Sequence, residues 1–121
     1  MENTVLEKFH QGRQSLGTFS AIGSPLAVES LRYTGLDYVI VDTEHSPAGI
    51  ESAAAQIAAA QGAGLTALAR ANEISRTAVL RLLDVGAQGV VVPCVETVEE
   101  VRELVRYAKF APLGNRGFCP T

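Results

Sequence analysis

The chain carries no tryptophan, a single methionine and only two cysteines in 121 residues. Cys94 and Cys119 are too far apart to form a metal-ligand or disulfide pattern, so reduced thiols in a cytoplasmic protein are expected, with Cys94 passive and buried. Positive charge is also scarce. Ten Lys and Arg against thirteen Asp and Glu leave a net charge of −3, which offers no basic surface for nucleic acid and no polybasic stretch for an anionic membrane. No apolar run approaches the ~20 residues of a membrane-spanning helix, and Met1 to Arg13 are polar and mixed in charge, unlike a signal peptide. The chain also lacks a Gly-x-Gly-x-x-Gly fingerprint, a Walker phosphate loop, His-x-His, His-Glu-x-x-His and Cys-x-x-Cys. What remains has the composition of an ordinary globular protein, 47% hydrophobic and 19% charged, at a length that allows one small domain at most.

The apolar residues come in short runs separated by amphipathic stretches. Thr4 to Gln11 reads as a leading helix, and Ser15 to Ser20 as a modest first strand. Ser24-Pro25 is an N-cap with a first-turn proline, opening a helix to about Tyr33. The second strand is Tyr38 to Val41, followed by an alanine-rich helix from Ile50 to Gln61. Leu65 to Ala69 forms the third strand, closed by Arg70, and Ser75 caps a helix that runs toward Gly86. Gly89 to Val92 is the fourth strand, broken by Pro93. Thr97 with Glu100 makes a capping box for a helix to about Ala108. Ala111 to Thr121 has no periodicity and reads as a loop.

Four strand-helix units in sequence, without a hairpin signal, imply parallel strands and right-handed crossovers. An open doubly wound sheet and a (β/α) barrel both satisfy that pattern. The missing nucleotide-binding loops favour the barrel, and a complete barrel takes about 250 residues. The expected fold is therefore α/β, the N-terminal half of a (β/α)8 barrel. Its single domain spans residues 1–121 and is truncated after the fourth βα unit.

In such folds chemistry lies just beyond the carboxyl ends of the strands. Thr18 and Ser20, then Asp42, Glu44 and His45, then Arg70, then Pro93 and Glu96 occupy those ends. His45 is the natural acid-base group, because its unperturbed pKa of about 6.5 lets it take and return protons near neutrality. Asp42 or Glu44 could hold its tautomer; the bland alternative is a helix-capping histidine. His10 is expected to be inert. The Arg70 fork suits a substrate carboxylate, or else a structural ion pair with Glu44 or Glu73. Asp84 sits at a helix C-terminus, where the dipole disfavours a carboxylate. It either reaches an active site across a subunit contact or bonds the Gly86 turn. Glu44 and Glu96 are weak candidates for oxygen ligands of magnesium or manganese.

Asp42-Thr43-Glu44-His45-Ser46-Pro47, then Arg70, then Leu83 to Pro93, then Val95-Glu96-Thr97 and finally Ala111 to Gly117 follow one another in a familiar order. Together they resemble the HpcH/HpaI aldolases, metal-dependent class II pyruvate aldolases, over essentially the whole chain from Gly17. The resemblance implies an enzyme that reversibly cleaves 4-hydroxy-2-oxoacids into pyruvate and an aldehyde. His45 matches the acid-base histidine, with Asp42 or Asp84 as its carboxylate partner, and Arg70 matches the arginine that binds the pyruvate carboxylate or keto oxygen. A divalent ion (Mg, Mn or Co) belongs to that chemistry, but its Glu and Asp ligands have no counterpart here. The resemblance also implies a homo-oligomer, commonly a hexamer. The 121-residue chain by itself is expected to be inactive. A non-catalytic assembly module and a citrate-lyase-type subunit are the alternatives.

Overall fold

The computed structural model describes residues 3–119. Helix α1 covers Thr4–His10, followed by strand β1, Gly17–Ser20, and helix α2, Pro25–Ser30, which tightens into a 3-10 turn at Leu31–Tyr33. Strand β2 is Tyr38–Asp42, helix α3 Ile50–Gly62, strand β3 Thr66–Arg70 and helix α4 Arg76–Asp84. Strand β4, Gly89–Val91, and helix α5, Val98–Ala108, complete the order. The helix starts follow local chemistry. Ser24, Ser75 and Thr97 each accept a backbone N–H from the first turn, and Glu100 closes the capping box on Thr97.

The four strands form one parallel sheet in the spatial order β1-β2-β3-β4. That order decides between the two architectures left open by the sequence. Right-handed crossovers that never reverse direction put every helix on the same face of the sheet, whereas a doubly wound sheet reverses and covers both. The core shows the one-sided arrangement. Val39 and Val41 of β2 and Ala67 and Ala69 of β3 pack with Val28 of α2, Ala53, Ile57 and Ala60 of α3 and Leu82 of α4. The alanines let α3 lie close to the sheet. Burying Ile57, Val39 and Val41 completely contributes roughly 1.5–3 kcal/mol each. The fold is that of half a (β/α)8 barrel.

Because side chains alternate along a strand, Phe19, Ile40, Leu68 and Gly89, which align across the register, face the inner side. Asp42, Arg70 and Val91 form the next inner layer toward the carboxyl ends. At the opposite end α1 is tied beneath the sheet. The Thr4 N–H donates to Thr66 Oγ1 at 3.0 Å, and Lys8 Nζ pairs with Asp37 Oδ1 at 2.6 Å. The Leu16 N–H donates to the other Asp37 oxygen at 2.8 Å, so one carboxylate joins α1, the entry to β1 and the entry to β2. The Lys8 and Leu16 bonds hold the Asp37 pKa below its ordinary value.

The segment after α5 has no regular structure, as expected, but it is not a loose loop. The Asn115 N–H donates to the Arg106 carbonyl at 2.8 Å and the Arg116 N–H to the Lys109 carbonyl at 2.9 Å. The Arg116 guanidinium lies over the Phe110 ring and donates to Asp84 at 2.8 Å. The expected loop's last residues, Pro120 and Thr121, lie outside the described residues. No helix among the described residues is long and apolar enough to cross a membrane.

Candidate active site

Strand β2 ends in Asp42, and the chain turns at once through Thr43 to Pro47. The Asp42 carboxylate makes that turn. Its Oδ1 accepts the backbone N–H groups of Glu44 and His45 at 2.9 and 3.1 Å, and the Ser46 hydroxyl donates to the Asp42 carbonyl. Short aspartate side chains bond their own backbone two or three residues on, which is why the strand stops here. Across the register, Arg70 ends β3 beside Asp42. Thr43 staples the two strand ends, donating its hydroxyl to the Arg70 carbonyl at 2.6 Å.

The Arg70 fork is already occupied. Nε donates to Asp42 Oδ1 at 3.0 Å and Nη2 to Oδ2 at 2.5 Å, a bidentate pair. Asp42 is buried and Arg70 only slightly exposed. The Arg70 guanidinium holds the Asp42 carboxyl at a pKa of about 2; the two backbone N–H bonds act in the same direction and burial opposes them. The Arg70 pKa is raised in turn, chiefly by the same hydrogen bond. The sequence leaves Asp42 or Glu44 as the partner of the His45 ring, and Arg70 either open to substrate or paired with Glu44 or Glu73; Glu44 is the carboxylate found beside both the ring and Nη1. Asp42 instead holds the His45 backbone and fills the Arg70 fork, and Glu73 bonds Ser75.

Arg70 keeps Nη1 for the rim, where Glu44 Oε2 lies 3.3 Å away. That oxygen is buried and makes no hydrogen bond. Glu44 Oε1 lies 3.7 Å from His45 Nε2. Glu44 therefore stands between the histidine and the arginine, and both sit at the same end of the sheet. The His45 side chain is 72% exposed, so it can meet a ligand without moving a neighbour. On the inner face, the Arg70 guanidinium carbon lies 4.8 Å from the centre of the Phe19 ring.

Other candidates lie elsewhere. Ser20 closes β1 but points toward the helices, donating to the buried Gln56 Oε1 at 2.8 Å, as strand alternation from Phe19 requires. Asp84 ends α4, and α4 runs back from the carboxyl end of β3 to the amino end of β4. Within this chain it lies at the end of the sheet opposite His45, where it binds Arg116 rather than the Gly86 turn. Cys94 is exposed, not buried, with a left-handed backbone at φ 56° just past β4. Glu96 is exposed as well. Among the described residues no three of His, Cys, Asp and Glu converge as metal ligands. The described residues do not fit a complete divalent-metal centre. Phe19 went unnoticed in the sequence, although its register partner Ile40 lies two residues before Asp42 on the same face.

The family model described as HpcH/HpaI aldolase/citrate lyase matches residues 15–119. The hydroxypyruvate/pyruvate aldolase of Roseovarius nubinhibens is 34% identical over 115 residues, 95% of this chain and 45% of that protein. The 4-hydroxy-2-oxo-heptane-1,7-dioate aldolase of Escherichia coli is 31% identical over 97% of this chain and 45% of its own length. The crystal structure of an HpcH/HpaI aldolase from Desulfitobacterium hafniense superposes with a TM-score of 0.90 at 36% identity, covering 98% of this chain and 46% of that one. The chain thus spans less than half the length of the curated relatives it matches. With a family model covering nearly the whole chain and a four-strand sheet that overlays the barrel of a solved member, this chain belongs to the HpcH/HpaI aldolase/citrate lyase family.

Proposed function

We propose that this chain supplies the acid-base histidine and the oxoacid-binding arginine of a carbon-carbon lyase that reversibly cleaves 4-hydroxy-2-oxoacids to pyruvate and an aldehyde. One observation carries the reading: His45 and Arg70 stand at the same end of the sheet with Glu44 between them, 3.7 Å from one and 3.3 Å from the other. In cleavage, His45 takes the proton of the C4 hydroxyl. The C4 oxygen becomes the aldehyde carbonyl, the C3–C4 bond breaks, and its electron pair moves into the pyruvate enolate. Protonated His45 then returns the proton to C3. Arg70 Nη1 binds the oxoacid oxygen on which negative charge grows, and it offsets that charge with a fixed donor.

Asp42 serves this reaction by holding Arg70 and the His45 backbone. Asp84 belongs, on this reading, to the site of a neighbouring subunit in a cytoplasmic homo-oligomer, a hexamer in the family. A divalent metal, magnesium, manganese or cobalt, is part of the same reading for the complete enzyme. Its ligands are assigned to the part of the barrel that the relatives have beyond this chain's span, and no step above runs through it.

The test is a hybrid in which these 121 residues replace the matching stretch of the Roseovarius nubinhibens relative. The hybrid should release pyruvate from a 4-hydroxy-2-oxoacid, and His45→Ala or Arg70→Ala should abolish that release. The 121-residue chain alone should release none. A folded hybrid whose turnover survives both substitutions overturns the reading.

A further inference from the structure

We infer that Phe19 is a positioning residue for Arg70, and that the face of its ring sets how tightly the site holds an oxoacid. The inference rests on the reading of Arg70 as the oxoacid-binding group. Arg70 leaves β3, and its guanidinium meets Asp42 on β2 side-on while lying 4.8 Å from the Phe19 ring centre on β1. One guanidinium thus links β3, its own strand, to both β2 and β1. Its Nε and Nη2 edge is filled by Asp42, and Nη1 is drawn toward Glu44. The bonds to Asp42 fix the guanidinium along one edge but leave its plane free to tilt about that edge. Tilting swings Nη1 out of the position from which it reaches an incoming oxygen. An aromatic face beside the guanidinium resists that tilt, because a cation is attracted to the ring quadrupole.

Phe19 has little other reason to be aromatic. It lies on the inner side of the sheet and takes no part in the core on the helix side. Its register neighbours Ile40 and Leu68 are aliphatic, and Gly89 completes the row. An aliphatic residue would serve a purely space-filling role equally well.

The test uses the hybrid enzyme described above, in which the relative supplies the rest of the barrel, and sodium pyruvate, read by the NMR signals of the Arg70 Nε–H group. In the wild type that proton should be moved upfield by the Phe19 ring and shift further as pyruvate binds. Phe19→Leu should return the proton downfield and weaken the apparent pyruvate affinity roughly two- to thirty-fold, the range of a cation-ring contact. Its thermal midpoint should stay close to that of the wild type. Phe19→Tyr keeps the ring face and should behave as the wild type, which separates the cation-ring contact from mere bulk. A pyruvate affinity unchanged in Phe19→Leu, with Arg70 still responding, overturns the inference and leaves the oxoacid reading standing. An Arg70 signal that ignores pyruvate in the wild type overturns both.

Discussion

Asp42 and Arg70 form a closed bidentate pair across adjacent parallel strands, with nitrogen-oxygen distances of 3.0 and 2.5 Å. The carboxylate also ends β2 and holds the backbone of the following turn. Structure and site therefore share one group, and its titration should be visible in stability. The Asp42 pKa falls from 3.8 to about 2 on folding. The stabilisation is fully present above the unfolded value and is lost as pH falls through the folded one, a contribution of about 2 kcal/mol. Urea unfolding of wild type and Asp42→Asn should show the wild type more stable at pH 7, with the gap closing by roughly that amount toward pH 2. A gap independent of pH would show that the ionised pair adds nothing.

His45 and Asp42 should separate stability from catalysis. His45 is largely exposed, and its ring lies 3.7 Å from Glu44. Replacing it with Gln should move the unfolding free energy by no more than about 0.5 kcal/mol. In the hybrid enzyme the same change should cost about 10²–10⁴ in turnover, the usual worth of a positioned acid-base group. Parallel denaturation and pyruvate-release assays check both halves of this expectation.

The leading helix gives a third expectation. Thr66 is buried, and its hydroxyl accepts the Thr4 N–H from 62 positions away. Thr66→Val keeps the shape and removes the acceptor. Amide exchange across Thr4–His10 should quicken, with a loss of about 1 kcal/mol in that segment's protection and little change in β2 or β3.

Gly17 offers a steric test. A Cβ built there would run into the ring of Tyr38, its register partner on β2. Gly17→Ala should destabilise the chain by about 1–3 kcal/mol, as overpacking does. Gly17→Ala combined with Tyr38→Ala should recover part of that loss, because the clash goes with the ring. Thermal melts of the two variants against Tyr38→Ala decide it.

Most of the fold was legible because it is written locally. Ser75 and the Thr97-Glu100 box start helices wherever they occur, and glycine or proline stops them. Unit order gives parallel strands and the missing nucleotide-binding loops favour the barrel half, with which the strand order agrees. The clustering of the candidate residues was legible for the same reason, since parallel strands put Asp42, Glu44, His45 and Arg70 at one end. Pairing inside the site was not. Whether Asp42 bonds a ring or a backbone depends on where a five-residue turn folds, and Arg70 had several carboxylates within reach. The direction of Ser20 and the place of Phe19 depend on strand register, which no single strand encodes. The exposure of Cys94 depends on a left-handed residue after β4, where a Pro-Cys pair gives no warning.

A sheet whose neighbours in space are also neighbours along the chain has a kinetic consequence. Paired strands begin only about 21 to 28 positions apart, so each new strand can dock on the one before it as soon as its helix has formed. During synthesis, β1 to β3 can assemble while later residues are still being added, and the Asp42–Arg70 clasp can close before β4 exists. The Asp42–Arg70 pair is then in place early, and β4 joins a template instead of searching for one.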